Sequence, residues 1–265
     1  MKISVIMPSY NQGKYLEKAI LSVLDQNYTD LEFIIMDGGS SDDSVEIIKK
    51  YQDRISYWQS QPDNGQSAAI NAGMEKATGE ICCWLNSDDY YLPNTLNKIS
   101  QFFMEHKDTK WLITSGEVRT IKNKTLETIK AKQVTYEGLV SNWGENWVHQ
   151  PSVFWKKTLW DDVQGLDESL DLVMDYELWL KFSKLVQPNK LDILSAVTLY
   201  HDAAKSVSFE SEQYAEMCIV LYNKGEKKVA LQKLGMHIGR AFKIYKMIKP
   251  LLQSKLYRKI KNKLT

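Results

Sequence analysis

Cysteine is scarce in this chain, and what there is does not pair. Three cysteines occur among 265 residues, and two of them, Cys82 and Cys83, are adjacent in a strand-like run. Neighbouring side chains on a strand point to opposite faces, so these two do not bridge easily. A disulfide framework is excluded, and with no CxxC or Cys/His spacing a zinc site is excluded as well. A reducing compartment is the expectation. Long apolar runs are also missing: none approaches the roughly 18 residues that cross a bilayer. Met1 leads straight into the strand-like ISVIM, so no secretory leader is expected. No GxGxxG follows that first strand, which argues against a dinucleotide oxidoreductase.

What is present is ordinary for a globular protein, with 43% hydrophobic and 25% charged residues. The length suits one large α/β domain plus an appendage. Eight Trp and fourteen Tyr are many; such rings line sugar or base pockets, or pack a core. The net charge of +1 conceals an asymmetry. Nine of the 34 basic residues and none of the 33 acidic ones fall in 240–265, so the remaining 25 basic residues face all 33 acids and that part carries −8. A split of this kind marks a separate segment.

The first half alternates strand and helix patterns. Strands are expected at Ile3–Met7, Leu31–Met36, Ile55–Gln59, Ile81–Leu85 and Trp111–Ser115. Helices are expected over Lys14–Leu24, Ser44–Tyr51, Gln66–Ala77 and from Pro93 to Phe103. This order predicts a mostly parallel, Rossmann-like α/β sheet flanked by helices. Residues 117–147 read less regularly, with a hairpin turning at Asn123-Lys124 and a short helix from Tyr136. A strand follows at Ser152–Trp155, then a loop through Gly165, a helix opening near Asp175 and a last strand from Leu191 to Tyr200. Beyond Phe209 the pattern is helical, interrupted at Gly225 and Pro250.

In parallel sheets ligands sit outside the carboxyl ends of the strands. Those ends read Pro8-Ser9-Tyr10-Asn11, Asp37-Gly38-Gly39-Ser40, Gln61-Pro62-Asp63-Asn64 and Asn86-Ser87-Asp88-Asp89. All are polar and two are rich in carboxylates. Two adjacent acids at such a mouth repel one another unless a cation shares them. A divalent metal, Mg2+ or Mn2+, held by one or two carboxylates and completed by phosphate oxygens would neutralise a diphosphate there. The plainer reading is that Asp88 and Asp89 cap the next turn, and that Asp63 and Gln66 are turn residues.

The runs ISVIMPSYNQGKYLEKAILSVLDQ, EFIIMDGGSSDDS, PDNGQSAAINAG and ATGEICCWLNSDD, in that order and spacing, resemble the amino-terminal half of the family 2 glycosyltransferases. GLDESLDLVMDYELWLKF and YHDAAKSVS resemble the acceptor-side and closing motifs of that family. The resemblance covers nearly all of residues 1–208 and implies a GT-A fold in 1–205, with a helical, basic extension in 206–265. It implies that Pro8, Ser9, Tyr10 and Asn11 wrap the base, that Asp37 meets base or ribose, and that Gly38 and Gly39 let the backbone approach. Asp63, Gln66 and Asn71 fall on the donor side. Asn86-Ser87-Asp88 occupies the DXD position, with Asp88 the direct metal ligand, Asp89 in second place and His201 on the metal or diphosphate side, Ser206 or Ser208 nearby. Asp175 occupies the general-base position, and His149, Gln150 and Trp179 are expected towards the acceptor. Two departures stand out: the first carboxylate of DXD is Asn86, and the Arg that often precedes the third-motif Asn is Ile70.

Asp175 also carries a physical argument. The helix dipole favours its charged form, while enclosure against Trp179 raises its pKa, a balance suited to a general base. The plainer role for Asp at that position is a helix cap. If it deprotonates the acceptor directly, the anomeric configuration inverts. The activity so implied is transfer from a nucleotide-diphosphate sugar, a UDP-sugar foremost, to a glycan or lipid-linked glycan in surface polysaccharide assembly. The 240–265 segment has apolar residues at helical spacing among its basic ones, the pattern of an interfacial helix on an anionic membrane. A cytoplasmic enzyme, peripheral on the inner face of the cell membrane, is therefore expected. Packing on the domain or in a homodimer is the alternative, and no motif for reading nucleic acid accompanies the segment. A nucleotidyltransferase and a non-catalytic sugar-nucleotide-binding module are the competing classes. PSYNQGKY is not the Gly-rich, basic loop of the first, and Asp175 argues against the second.

Overall fold

Every residue of strand β1 (Ile3–Ser9) is buried, as a strand covered on both faces requires. The computed structural model that shows this describes residues 1–141, 148–202 and 209–238. β1 pairs in parallel with β2 (Leu31–Asp37) on one side and β4 (Ile81–Trp84) on the other, and β2 pairs in parallel with β3 (Tyr57–Ser60). Helices α1 (Gly13–Leu24), α2 (Ser44–Lys50) and α3 (Gln66–Lys76) make the crossovers. The four-strand parallel half matches the alternation expected from sequence, with shifts of one or two residues at strand ends.

The second half is mixed. β8 (Val153–Lys156) inserts antiparallel between β4 and β6 (Trp111–Thr120). β9 (Asn189–Tyr200) then runs parallel to β6, and the short β5 (Tyr90–Tyr91) lies antiparallel along β9. Among the described residues the order is β3-β2-β1-β4-β8-β6-β9-β5, with β7 (Thr125–Ile129) hairpinned onto β6. Asn123 sits in that hairpin with φ of 60°, a conformation Asn tolerates. β6 is twice as long as its apolar run, because Gly116–Thr120 pair with β9 in a half-buried extension beyond the core.

One face of the sheet is built from tryptophan. Trp84, Trp155 and Trp111 lie on adjacent strands, and Trp179 of α7 (Met174–Leu185) stacks on Trp84 at 5.9 Å and on Trp111 at 5.8 Å. α3 lies on the same face, pressed so closely that a Cβ on Gly73 would meet Ile6 Cγ2 at 2.6 Å. On the other face Tyr91 packs on Phe154 and donates its hydroxyl to Cys83 Sγ. α4 (Thr95–Glu105), α5 (Tyr136–Ser141) and α6 (Lys157–Asp162) complete this part. All three cysteines are free and buried.

The chain divides into two compact units, Met1–Gln213 and Tyr214–Thr265. Helix α8 (Glu210–Asn223) runs across that division. Within the second unit Gly225, with φ of 94°, separates α8 from the helical residues 227–238. The two segments are joined where the Tyr214 hydroxyl donates to the Lys233 carbonyl and its ring stacks on His237 at 4.4 Å. No helix among the described residues is long and apolar enough to cross a membrane. Ser206, Ser208 and the basic segment 240–265 lie outside the described residues.

Candidate functional site

The topology brings the polar segments to one rim. β1 to β4 all end at the same edge. β8 is antiparallel to them, so His149 and Gln150, which precede it, start there; β9 runs with β6 and delivers His201 there. α7 must connect back to the start of β9 at the far edge, and Trp111 Nε1, at the start of β6, donates to Val186 O just past the end of α7. The amino end of α7, with Asp175 in its first turn, therefore returns to the ligand rim. Trp179, one turn on, stacks on Trp84, two residues before Asn86.

At the β1–β2 end Asp37 is buried and fully engaged. Its Oδ2 accepts from Ser60 Oγ at 2.6 Å, Ser40 N at 2.9 Å and Gly39 N at 3.2 Å, and its Oδ1 accepts from Ser40 Oγ at 2.6 Å. Asp37 thus organises the loop that was expected to meet the base, and reaches a ligand only by exchanging one of these bonds. Ser60 escaped the sequence reading, although parallel pairing puts it directly beside Asp37. Asn11 ties the first loop to the second: its backbone N donates to Ser40 Oγ and its Oδ1 accepts from Ser41 N, both at 2.8 Å. Tyr10 is left 62% exposed, available to cover a flat ring. Ser9 is buried, and its hydroxyl has no partner among the described residues. Gly38 and Gly39 earn their place sterically. A Cβ on Gly38 would sit 2.9 Å from Asp63 Oδ2, and Gly39 adopts φ of 81° against Pro62.

After β4, Asp88 turns outward and meets His201, with Oδ2 and Nε2 3.0 Å apart. The His201 ring is buried and stacked on Tyr15 at 4.4 Å, and its Nδ1 has no partner among the described residues. A carboxylate oxygen and an imidazole nitrogen held together this way are fit to share a divalent cation whose other positions go to phosphate oxygens and water. Among the described residues no third His, Cys, Asp or Glu joins them. Asp89, expected to be that partner, turns inward instead. Its Oδ1 accepts from Leu199 N at 3.1 Å, and burial, then the neighbouring Asp88 charge, push its pKa well above the ordinary carboxylate range. Asp89 clamps β9 to the β4 loop; it is not a second ligand. Ser87 is also buried.

Three further expectations are corrected. His149 does not face an acceptor. It is buried, with Nδ1 2.7 Å from Ser152 Oγ and Nε2 3.1 Å from Thr198 Oγ1, and burial lowers its pKa to about 4, so it stays neutral. Trp179 is a core residue, 2% exposed and sandwiched between Trp84 and Trp111. Asn71 spends its amide on the 166–168 loop, accepting from Leu166 N and donating to Leu166 O, both at 3.0 Å, and to Glu168 Oε1 at 2.9 Å. This latch, with Ser67 Oγ donating to Leu170 O, lays the GLDES loop along α3 and leads the chain into α7. Gln66 and Gln150 reach Asn86 from opposite sides, at 2.8 and 3.4 Å.

Asp175 itself is partly accessible, and enclosure raises its pKa to about 6 against the hydrogen bond from Tyr176 N. Near neutrality it is an ionised carboxylate able to take a proton.

The profile described as Glycosyl transferase family 2 matches residues 4–156, more than half of the chain. This chain belongs to glycosyl transferase family 2. Its relatives within the family include an uncharacterized glycosyltransferase of a Nostoc species, 34% identical over 163 residues that cover 57% of this chain and 49% of the relative. Another, from Rickettsia typhi, is 30% identical over 188 residues, covering 69% and 59% respectively. The chain thus spans about half to three-fifths of the length of these relatives. Among solved structures, Staphylococcus aureus TarS 1–349 in complex with UDP-GlcNAc superposes with a TM-score of 0.66 at 19% identity, covering 90% of this chain and 73% of that one. A Pyrobaculum calidifontis mannosyltransferase in complex with GDP-Man and Mn2+ superposes at 0.61 with 14% identity, covering 97% and 82%. At these identities the likeness establishes the fold, that of the GT-A glycosyltransferases.

Proposed function

We propose that this chain is an inverting glycosyltransferase that moves a sugar from a nucleotide-diphosphate donor, a UDP-sugar foremost, to a hydroxyl of a glycan or lipid-linked glycan. The observation that carries the reading is the shared rim: a carboxylate with pKa near 6 opens α7 at the same sheet edge where Asp88 meets His201. Family membership and donor-bound structural neighbours support it.

The protein's part follows from these positions. Tyr10 covers the base, while Asn11 and Asp37 hold the two loops around the nucleotide. Asp88 and His201 would hold a divalent cation, Mn2+ or Mg2+, whose charge supplies stabilisation to the departing diphosphate. Asp175 takes the proton from the acceptor hydroxyl as its oxygen forms the new bond to the anomeric carbon and the bond to the diphosphate breaks. Attack opposite the leaving group inverts the anomeric centre and needs no enzyme-bound sugar. The basic 240–265 segment would lie on an anionic membrane surface at the cytoplasmic face, beside a lipid-linked acceptor.

Calorimetry with UDP plus Mn2+, followed by transfer assays over a panel of nucleotide sugars and lipid-linked acceptors, tests this. Asp175→Asn should bind the nucleotide like the native chain and transfer at least ~100-fold more slowly. Undiminished transfer by that variant would remove the mechanism.

A further inference from the structure

Where the family's motif carries an acid, this chain carries Asn86, and the surrounding hydrogen bonds give the amide a direction. Gln150 Nε2 donates to the Trp84 backbone carbonyl at 3.0 Å, which only an N–H can do. Gln150 Oε1 therefore faces Asn86, and the Asn86 group 3.4 Å away must be the Nδ2 donor. The same Nδ2 points at Asp89 Oδ2 at 3.5 Å, a second acceptor. That leaves Asn86 Oδ1 on the opposite side, accepting from Gln66 Nε2 at 2.8 Å. The polarity runs head to tail from a fixed backbone carbonyl to Gln66, and no single amide can flip without setting oxygen against oxygen. The remaining acceptor, Gln66 Oε1, takes no hydrogen bond from any described residue.

A carboxylate at position 86 would break this relay. Both its oxygens would be acceptors, one of them facing Gln150 Oε1, and Gln150 cannot turn to meet it without losing Trp84 O. Asp89 in turn is held in place by Leu199 N. The inward carboxylate and the amide at the motif's first position thus belong together.

We infer that Asn86 is a positioning residue, neither a metal nor a ribose ligand, which aims the Gln66 amide so that its open carbonyl accepts a hydrogen bond from a hydroxyl of the sugar nucleotide. An open carbonyl oxygen suits a hydroxyl donor and repels a phosphate oxygen, so Gln66 selects among hydroxyls and does not neutralise the diphosphate. The hydroxyl's source is either ribose or transferred sugar. The inference rests on the donor-binding reading above for its ligand, but the relay itself does not.

Two measurements on the full chain test it. In thermal melts Asn86→Asp should lower Tm by several degrees. The exchange Asn86→Asp with Asp89→Asn should recover most of the loss, because Asn at 89 keeps its oxygen for Leu199 N and offers an N–H to the new carboxylate. A native Tm in the single variant, or no recovery in the double, overturns the relay. In calorimetry Gln66→Ala and Asn86→Asp should each weaken binding about tenfold while Mn2+ affinity, which Asp88→Ala should abolish, is unchanged. Equal losses for UDP and UDP-GlcNAc place the hydroxyl on ribose; a loss confined to UDP-GlcNAc places it on the sugar. Unchanged nucleotide affinity, or tighter Mn2+ binding by Asn86→Asp, overturns the role assigned to Gln66 and Asn86. Should the native chain bind neither nucleotide, the donor reading and the aim of Gln66 fall together, while the melts still decide the relay.

Discussion

Asp175 holds its charge against its surroundings, and that has a measurable sign. Its pKa rises from 3.8 to about 6 on folding, so the folded state binds the proton more tightly than the unfolded chain. The ionised form therefore destabilises the fold fully above pH 6, progressively less between 6 and 4, and not below. Asp175→Asn should raise stability at pH 7.5 by roughly 1–2 kcal/mol, after discount for partial exposure, and the gain should vanish by about pH 4. Melts of both proteins across that range check it. Activity should rise with pH through about 6 as the same group becomes unprotonated, which a pH–rate profile reads. Asp88→Ala should abolish Mn2+-dependent nucleotide binding, checked by calorimetry with and without Mn2+. The carboxylates were legible in the sequence because polar acids at apolar strand ends have few other reasons to be there. Trp179, His149 and Asp89 were not, since each lies beside a site residue along the chain yet points into the core. A residue one peptide from Asp88 or Gln150 faces another way in space, and Trp179, one helical turn from Asp175, shares its face but lies further along the helix, against the Trp84 and Trp111 rings.

At the scale of elements, β1 to β4 could be read from alternation, because α1, α2 and α3 separate them as crossover helices. The insertion of β8 could not. It depends on a strand that returns from a long excursion and pairs antiparallel on both sides, and a four-residue apolar run gives no hint of its neighbours. One close fit fixes that excursion, and another fixes the loop after β8. Gly116 on β6 lies under the His149 ring, where a Cβ would stand 1.9 Å from Nδ1. Gly116→Ala should destabilise by roughly 3 kcal/mol, since neither strand nor ring can yield without breaking the His149 bonds to Ser152 and Thr198; denaturant unfolding measures it. Asn71 presents a milder case. Asn71→Ala should free the Leu166 backbone, speeding exchange of its amide and costing about 1–2 kcal/mol, which hydrogen exchange resolves by residue.

For the molecule as a whole, the charge asymmetry was visible from composition alone, but where the tail goes is not a property of composition. Liposome flotation with anionic vesicles should show the full chain bound and a 1–239 truncation free, with the difference shrinking as salt rises. Equal flotation of the two would leave the tail to another partner.

The tryptophan stack under the site has an optical consequence. Trp84, Trp179 and Trp111 hold their rings within 11° of parallel at 5.8–5.9 Å, close enough for their electronic transitions to couple. Two of these buried indoles are tied closely to the site, Trp179 one turn from Asp175 and Trp84 two residues before Asn86. The near-ultraviolet circular dichroism of the native chain should therefore respond when a non-absorbing divalent ion or an acceptor glycan shifts either segment. Trp179→Phe should silence that response, giving an intrinsic signal for ligands that carry no chromophore.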